Sequence, residues 1–262
     1  MYIIFERQKL MKAIYITGTA GSGKSLLTSN LLQWYIDHDN FPITVNLDPA
    51  VSELPYRPDV DIRNYIDINN IVESYGLGPN GAIIMSHDLI GTKIQEIQLE
   101  VDELNPDYIL IDTPGQIELF AYRSSGYYFI SNFQADSKAT IFIMDGVLVS
   151  SPINFVSLSL LSASINFRLK LSQINVLSKR DLIIDNLENI LDWAQSDTSL
   201  LKALDKENNP EFSLLSKDLI KIISQNGLNQ ELIAVSNLTM NGLIELSSVL
   251  SRILNQGEEI QY

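Results

Sequence analysis

An eight-residue stretch near the start of the chain has the composition of a phosphate-binding loop. Glycine lets the backbone curl until successive N–H groups face one anion, and the start of a following helix adds positive potential. A lysine supplies a mobile charge for the outer phosphates, and a serine hydroxyl can ligate Mg²⁺. The pattern G-x-x-x-x-G-K-S, which predicts a nucleoside triphosphate site, is formed by Gly18, Thr19, Ala20, Gly21, Ser22, Gly23, Lys24 and Ser25.

A second polar group, with the sequence Asp-Thr-Pro-Gly-Gln, follows an apolar run at residues 108–111. Open parallel sheets place their ligands at the carboxyl ends of the strands, so Asp112 can hold Mg²⁺ there, directly or through a water. Gly115 has no side chain, so its N–H can approach a γ-phosphate. Gln116 stands where small G proteins keep the glutamine that orients the attacking water.

A third group has the composition needed to recognise a guanine base. Guanine presents two adjacent N–H donors that one carboxylate can accept together, and adenine cannot. The G-protein pattern for this role is Asn-Lys-x-Asp, and this chain has Ser178 in place of the asparagine, followed by Lys179 and Asp181. Asp181 would accept the two donors, and the Lys179 stem would lie against the base. Ser236 and Asn237 could bring backbone N–H groups to the guanine O6, although a plain strand end is the simpler explanation of these two residues.

Two further groups complete a recognisable order of motifs. Asp48 lies in the sequence NLDPA after the second apolar run, and Gly78, Pro79 and Asn80 precede a long helical pattern. A lone Gly-Pro-Asn is a common turn. The order GTAGSGKS, NLDPA, GPNGA, DTPGQIE and SKRD, which spans residues 18 to 181, closely resembles that of the GPN-loop GTPases.

The resemblance implies a role for each of these groups. The phosphate loop would bind GTP or GDP with Mg²⁺, with Ser25 and Asp112 near the metal. Asp48 would lie in the first switch, near the metal or the attacking water, and residues 112–116 would form the second switch. In the homodimers of this family the Gly-Pro-Asn loop reaches the active site of the partner subunit. Asn80 would then replace the lysine that related dimeric proteins carry where this chain has Thr19.

The elements that must position these residues alternate along the chain. Apolar runs predict strands at residues 12–17, 43–47, 108–111, 140–144, 173–177 and 231–235. Between them, apolar residues recur at helical spacing from Ile83 to Leu104 and from Leu243 to Ile253, the latter after the capping candidates Thr239 and Asn241. This alternation predicts an α/β fold of three layers, a mostly parallel sheet with helices on both faces, as in P-loop NTPases.

The domain prediction is a single P-loop domain over residues 1–262. Residues 1–10 are either a non-essential extension before Met11 or an added edge strand. Residues 182–230 contain interrupted leucine-rich pieces and predict a helical insertion before the last strand. Residues 257–262 are expected to form a loose tail.

Composition limits the range of functions. A formal net charge of −14 argues against a duplex nucleic-acid surface or an anionic membrane as the main partner. The chain has no cysteine, which excludes disulfides and thiolate metal sites and favours the cytoplasm. His38 and His87 have no ligand spacing and are expected to be structural.

The leading hypothesis is a GTP-hydrolysing homodimeric switch in which Gln116, aided by Asp48, positions water, while Lys24 and the loop amides stabilise charge. One alternative is a small-molecule kinase that uses the same loop. The other is a nucleotide-dependent scaffold or assembly factor with negligible turnover. RNA polymerase is a possible client by family resemblance only.

Overall fold

The computed structural model describes residues 10–206, 216–220 and 231–255. Its seven strands form one sheet in the order β3-β2-β4-β1-β5-β6-β7, and every neighbouring pair is parallel. The strands are β1 Lys12–Gly18, β2 Pro42–Asn46, β3 Val60–Asp61, β4 Tyr108–Asp112, β5 Ser137–Asp145, β6 Ser172–Ser178 and β7 Leu232–Ala234.

Helices connect these strands. The α-helices are α1 Lys24–Asp37, α2 Ile68–Tyr75, α3 Pro79–Leu89, α4 Ile94–Leu104, α5 Ile117–Ala121, α6 Ser124–Asn132, α7 Pro152–Leu169, α8 Leu187–Gln195, α9 Asp197–Asp205 and, near the end of the chain, α10 Leu243–Leu254. Short 3-10 segments are Ile62–Asn64, Ile90–Lys93, Leu148–Ser150, Arg180–Leu182 and Ile184–Asn186.

Two apolar clusters lie on opposite faces of the sheet because successive strand residues point to opposite sides. In β1, Ala13 and Tyr15 belong to one cluster, and Ile14 and Ile16 belong to the other. Strand residues on both faces are fully buried, as expected for a parallel sheet covered on both sides by helices. The predicted three-layer α/β fold is confirmed.

The strand register brings the chemical motifs to one edge of the sheet. Ile16, two residues before the phosphate loop, pairs with Asp112 at the end of β4. Asn46 pairs with Asp112 from the other side. At the end of β5, Asp145 pairs with Ser178. The carboxyl ends of β1, β2, β4, β5 and β6 therefore converge on one site.

The structure differs from the sequence prediction in three elements. β3 has only two residues, too few to give a pattern. The long helical pattern from residue 83 to 104 is divided by the 3-10 segment Ile90–Lys93. The prediction of Thr239 and Asn241 as capping residues was wrong, since Gly242 caps α10 at φ 87°. A Cβ at Gly242 would lie 2.1 Å from the Ala234 carbonyl oxygen, so the tight turn after β7 favours glycine.

The predicted insertion is helical where the structure describes it, in α8, α9 and residues 216–220. The predictions for residues 1–9 and for the tail at 257–262 lie outside the described residues, and the single-domain assignment stays a prediction. Among the helices of the described segments, none has the length and apolar character needed to cross a membrane.

Candidate nucleotide-binding site

Glycine backbone conformations shape the phosphate loop. Gly21 and Gly23 have φ angles of 73° and 94°, in the region that favours glycine. At Gly18, a Cβ would lie 2.7 Å from the Ile143 carbonyl oxygen, so there is no room for a side chain. Gly23 is the N-cap of α1, and no side chain caps its N–H groups. These N–H groups are therefore available to bind an anion.

The Lys24 side chain joins the phosphate loop to residues 112–116, the predicted second switch. Its Nζ donates to the carbonyl oxygens of Gly18 at 3.1 Å, Thr19 at 2.9 Å and Gly115 at 3.2 Å. Burial lowers the pKa of Lys24, and the nearby Asp112 carboxylate opposes that shift. An ammonium group held on three carbonyl oxygens is well placed to move to phosphate oxygens instead.

Asp112 is the most buried carboxylate of the site, with 1% of its surface exposed. Tyr56 donates its hydroxyl to Asp112 Oδ2 at 3.0 Å. Asp112 Oδ1 is buried and has no hydrogen-bond partner among the described residues. Desolvation raises the pKa of Asp112 to about 6, while the hydroxyls of Ser25 and Tyr56 and the charge of Lys24 oppose the rise.

These groups fit a magnesium ion. A buried carboxylate oxygen without a partner, beside a serine hydroxyl, offers the hard oxygen ligands that Mg²⁺ requires. Within the part of the chain that the structure describes, no group of three or more His, Cys, Asp or Glu residues could hold a metal ion. Asp112 and Ser25 would therefore share the ion with phosphate oxygens, as is usual for Mg²⁺ at nucleotide sites. Sequence reasoning missed Tyr56, which lies in no motif.

Asp48 connects the predicted first switch to the predicted second switch. Its Oδ2 accepts from the Gly115 N–H at 2.8 Å, and its Oδ1 accepts from the Ala50 N–H at 2.9 Å. The expected approach of the Gly115 N–H to a γ-phosphate therefore requires that its bond to Asp48 break. His87 Nε2 lies 4.0 Å from Asp48 Oδ1, so this histidine adjoins the site, which the sequence did not indicate. Its Nδ1 is 2.6 Å from the Ile83 carbonyl oxygen.

Gln116 and Asn80 occupy exposed helix starts. Gln116 is the N-cap of α5, and its side chain does not bond to the helix N–H groups. Gly78 is the N-cap of α3, Pro79 is the first helical residue and Asn80 follows it. Proline is well suited to the first turn because no intrahelical hydrogen bond is lost there. The catalytic roles of Gln116 and Asn80 stay predictions.

The predicted base end of the site is formed by residues 178–181 and 236–237, and there Ser236 orients Asp181. The Ser236 hydroxyl donates to Asp181 Oδ1 at 2.6 Å and itself accepts from the N–H groups of Leu238 at 3.3 Å and Thr239 at 3.1 Å. Ser178 donates to the Met144 carbonyl oxygen at 3.2 Å and is buried in the sheet. The Asp181 carboxylate, which is predicted to accept the guanine donors, is thus held by the Ser236 hydroxyl, a role that the sequence did not reveal.

Asn237 ties the base end to the phosphate loop. Its Nδ2 donates to the Gly23 carbonyl oxygen at 3.3 Å. Asn30, on α1, donates to the Asn237 carbonyl oxygen at 2.9 Å. The backbone N–H contacts to guanine O6 expected of Ser236 and Asn237 stay a prediction, but the Asn237 side chain already connects the two parts of the site.

A glycine-rich loop between β1 and α1, with a buried carboxylate at the end of β4, defines this protein as a P-loop nucleoside triphosphatase in fold and site. Residues 16–256 match a family model described as a conserved hypothetical ATP binding protein. The chain is 35% identical over 173 residues to the GPN-loop GTPase PAB0955 of Pyrococcus abyssi, covering 65% of this chain and 68% of that protein. The chain belongs to the GPN-loop GTPase family.

Other comparisons agree with this assignment. GPN-loop GTPase QQT2 of Arabidopsis thaliana is 33% identical over 78% of this chain, and GPN-loop GTPase 1 of Dictyostelium discoideum is 32% identical over 88%. The chain spans 54% and 59% of the lengths of these two relatives. The crystal structure of PAB0955, described as a GTPase in apo form, superposes with a TM-score of 0.82 at 27% identity, covering 92% of this chain and 97% of that one.

Proposed function

We propose that this protein binds GTP with Mg²⁺ and hydrolyses the γ-phosphate. The observation that carries the proposal is the Asp181 carboxylate, held by Ser236 at the same sheet edge as the phosphate loop. A carboxylate there can accept both donor groups of guanine, and adenine offers no such pair. This supports a guanine nucleotide in preference to the ATP named in the description of the family model.

The phosphates would lie on the loop amides and the start of α1, with Lys24 moving from loop carbonyls to phosphate oxygens. Asp112 and Ser25 would hold Mg²⁺, which would neutralise part of the negative charge on the phosphates. Burial of the Asp112 carboxylate strengthens its interaction with a cation.

Water would be positioned by Gln116 and Asp48. Gln116 is exposed at the start of α5, and Asp48 is already bonded to the neighbouring Gly115. When the Gly115 N–H turns to the γ-phosphate, Asp48 Oδ2 would become free to accept a hydrogen bond from the attacking water. Catalysis of this kind depends on placement and electrostatics, so turnover can be slow.

The proposal extends to a homodimer in which Asn80 completes the site of the partner subunit. The exposed Gly78-Pro79-Asn80 turn at the start of α3 supports this arrangement, as does Thr19 at the position of a trans lysine. Each site would then combine Lys24 of one chain with Asn80 of the other.

Mixing two inactive variants tests the dimer model. Lys24→Ala and Asn80→Ala should each be nearly inactive alone. After joint unfolding and refolding, about half of the dimers would be mixed and half of their sites intact, so about a quarter of wild-type activity should return. If mass spectrometry confirms chain exchange and no activity returns, Asn80 either acts in the site of its own subunit or has no part in catalysis.

The proposed biological role is a molecular switch in assembly or regulation, with RNA polymerase as a client on the family resemblance alone. A scaffold with negligible turnover would share every site residue. Capture of partners by a GTP-bound Gln116→Leu variant, compared with the GDP-bound wild type, would identify nucleotide-dependent clients.

The experiment that tests the proposed activity compares phosphate release from GTP and ATP, with Mg²⁺ and with EDTA. We expect release from GTP with Mg²⁺ only, and tighter binding of GTP than of ATP. Addition of candidate acceptors should not change phosphate release. Equal affinity for GTP and ATP would contradict the assignment of Asp181, and phosphate transfer to an acceptor would favour the kinase alternative.

A further inference from the structure

Lys179 directs its charge to a carboxylate that lies outside the recognised motifs. Its Nζ donates to Asp145 Oδ2 at 2.6 Å. The Asp145 side chain is 9% exposed and that of Lys179 is 35% exposed. Asp145 is the last residue of β5 and pairs in register with Ser178, the residue before Lys179. The carboxylate therefore comes from the neighbouring strand end.

Both partners of this ion pair are held by their backbone surroundings. Asp145 Oδ1 accepts from the Val147 N–H at 3.0 Å, which fixes the carboxylate and leaves Oδ2 for Lys179. Lys179 has a φ of 57°, a left-handed conformation that is unfavourable for a non-glycine residue. Its carbonyl oxygen accepts from the Leu182 N–H at 2.9 Å, which closes the turn. The turn thus places the lysine beside the carboxylate at an energetic cost.

The ion pair is not needed to join the two strand ends. The Gly146 N–H donates to the Ser178 carbonyl oxygen at 3.2 Å, directly after the β5–β6 ladder. A Cβ at Gly146 would lie 2.4 Å from that same oxygen, so the two backbones are already in close contact. The ion pair therefore adds to a contact that the two backbones already make, and the residue that it holds, Lys179, is the one expected to lie against the base.

We propose that Asp145 is a positioning residue for guanine recognition. It anchors the Lys179 ammonium, so that the aliphatic stem has the conformation that contacts the base before the nucleotide binds. A free lysine side chain samples many rotamers, and the ion pair removes part of this freedom before binding. The inference rests on the proposed function, since it takes guanine as the base at this end of the site.

The test is a double-variant cycle on Asp145 and Lys179. Asp145→Asn keeps the shape and removes the charge, while Lys179→Met keeps the apolar stem and removes the ammonium. Each single variant should weaken GTP and GDP binding by the same factor, about tenfold. The double variant leaves no unpaired charge, and it should also bind about tenfold more weakly, not a hundredfold, because both changes remove one interaction. If Asp145→Asn alone fails to fold, the comparison of Lys179→Met with the double variant still shows whether the change at Asp145 adds a further loss of GTP affinity.

Inorganic triphosphate separates positioning of the base from general damage, because it can occupy only the phosphate loop. Its affinity should be unchanged in all three variants, and kcat at saturating GTP should be unchanged while KM rises. Glu231→Gln, which breaks the exposed Arg252–Glu231 pair and removes the same charge, is the matched control and should leave the GTP affinity within about twofold of wild type.

Three results would overturn the inference. These are unchanged GTP affinity in Asp145→Asn, an equal loss for inorganic triphosphate and GTP, or additive losses in the double variant. Failure of the proposed function is recognised separately, because the wild-type protein would then bind ATP as tightly as GTP.

Discussion

The two ends of the nucleotide site differ in how their polar groups are paired. At the base end, Asp181 is bonded to Ser236, and Lys179 is bonded to Asp145. At the phosphate end, several buried side-chain oxygens have no hydrogen-bond partner among the residues that the structure describes. They are Thr19 Oγ1, Ser22 Oγ and Asp112 Oδ1. The base end is therefore organised by protein contacts, whereas the phosphate end has unused hydrogen-bonding capacity.

The groups that are paired at the phosphate end also have to change partners. Lys24 is bonded to loop carbonyls, and the Gly115 N–H is bonded to Asp48. Binding of a γ-phosphate by Gly115 would break the link between the two switches. The comparison indicates that base recognition would need little rearrangement, while a third phosphate would act on the contact that joins the two switches. That arrangement would let the protein distinguish GTP from GDP.

The largest expected effect is at the phosphate end. Lys24→Ala should lower kcat/KM for GTP by about a thousandfold, since it removes a buried charge that would contact the phosphates. Single-turnover phosphate release checks this. Lys93→Ala, which breaks only a surface pair with Glu96, is the matched control and should retain full activity. Activity near wild type in Lys24→Ala would show that the phosphates bind elsewhere.

At the base end, Asp181→Asn should change the preferred base from guanine to xanthine. The amide presents a donor to the guanine donors, and the loss of two charge-assisted hydrogen bonds should cost about 3 kcal/mol, or roughly a hundredfold in GTP affinity. Xanthosine triphosphate, whose C2 carbonyl accepts, should bind the variant better than GTP does. Calorimetric titration with both nucleotides makes the comparison, and unchanged preference for GTP would remove Asp181 from base recognition.

Gln116→Leu should leave GTP binding nearly intact and slow hydrolysis by about thirtyfold, because the amide acts on water in the transition state. Single-turnover hydrolysis measured beside nucleotide affinity separates the two steps. If hydrolysis in the variant proceeds at the wild-type rate, Asp48 becomes the first candidate for positioning the water.

The pKa of Asp112 predicts a pH-dependent stability. Its folded-state value of about 6 lies above the usual aspartate value, so the buried carboxylate destabilises the folded protein when it is charged, above about pH 6. That destabilisation fades as the pH falls from about 6 towards 4. Asp112→Asn should therefore raise the free energy of unfolding by about 1–3 kcal/mol at pH 7.5 and by little near pH 4. Urea unfolding with EDTA and without nucleotide measures it, and a pH-independent difference would contradict the assigned pKa.

Much of the fold could be predicted because buried parallel strands leave continuous apolar runs, as at residues 108–111 and 173–177. The two-residue β3 leaves no such signal. The phosphate loop was recognisable because its chemistry depends on backbone and therefore on fixed glycine spacing. Asp145 and Tyr56 reach the site through strand register and loop packing, which no local pattern encodes. The contact of His87 with Asp48 has the same origin.

Hydrogen exchange of backbone amides, measured with GDP and with a non-hydrolysable GTP analogue in Mg²⁺, tests the contrast between the two ends most directly. We expect the segments around Asp48 and Gly115 to change protection between the two nucleotides, because the γ-phosphate takes the Gly115 N–H from Asp48. Segments 178–181 and 236–239 should be equally protected in both. Equal changes at the two ends, or no change at Gly115, would contradict a pre-organised base end and a phosphate end that responds to the third phosphate.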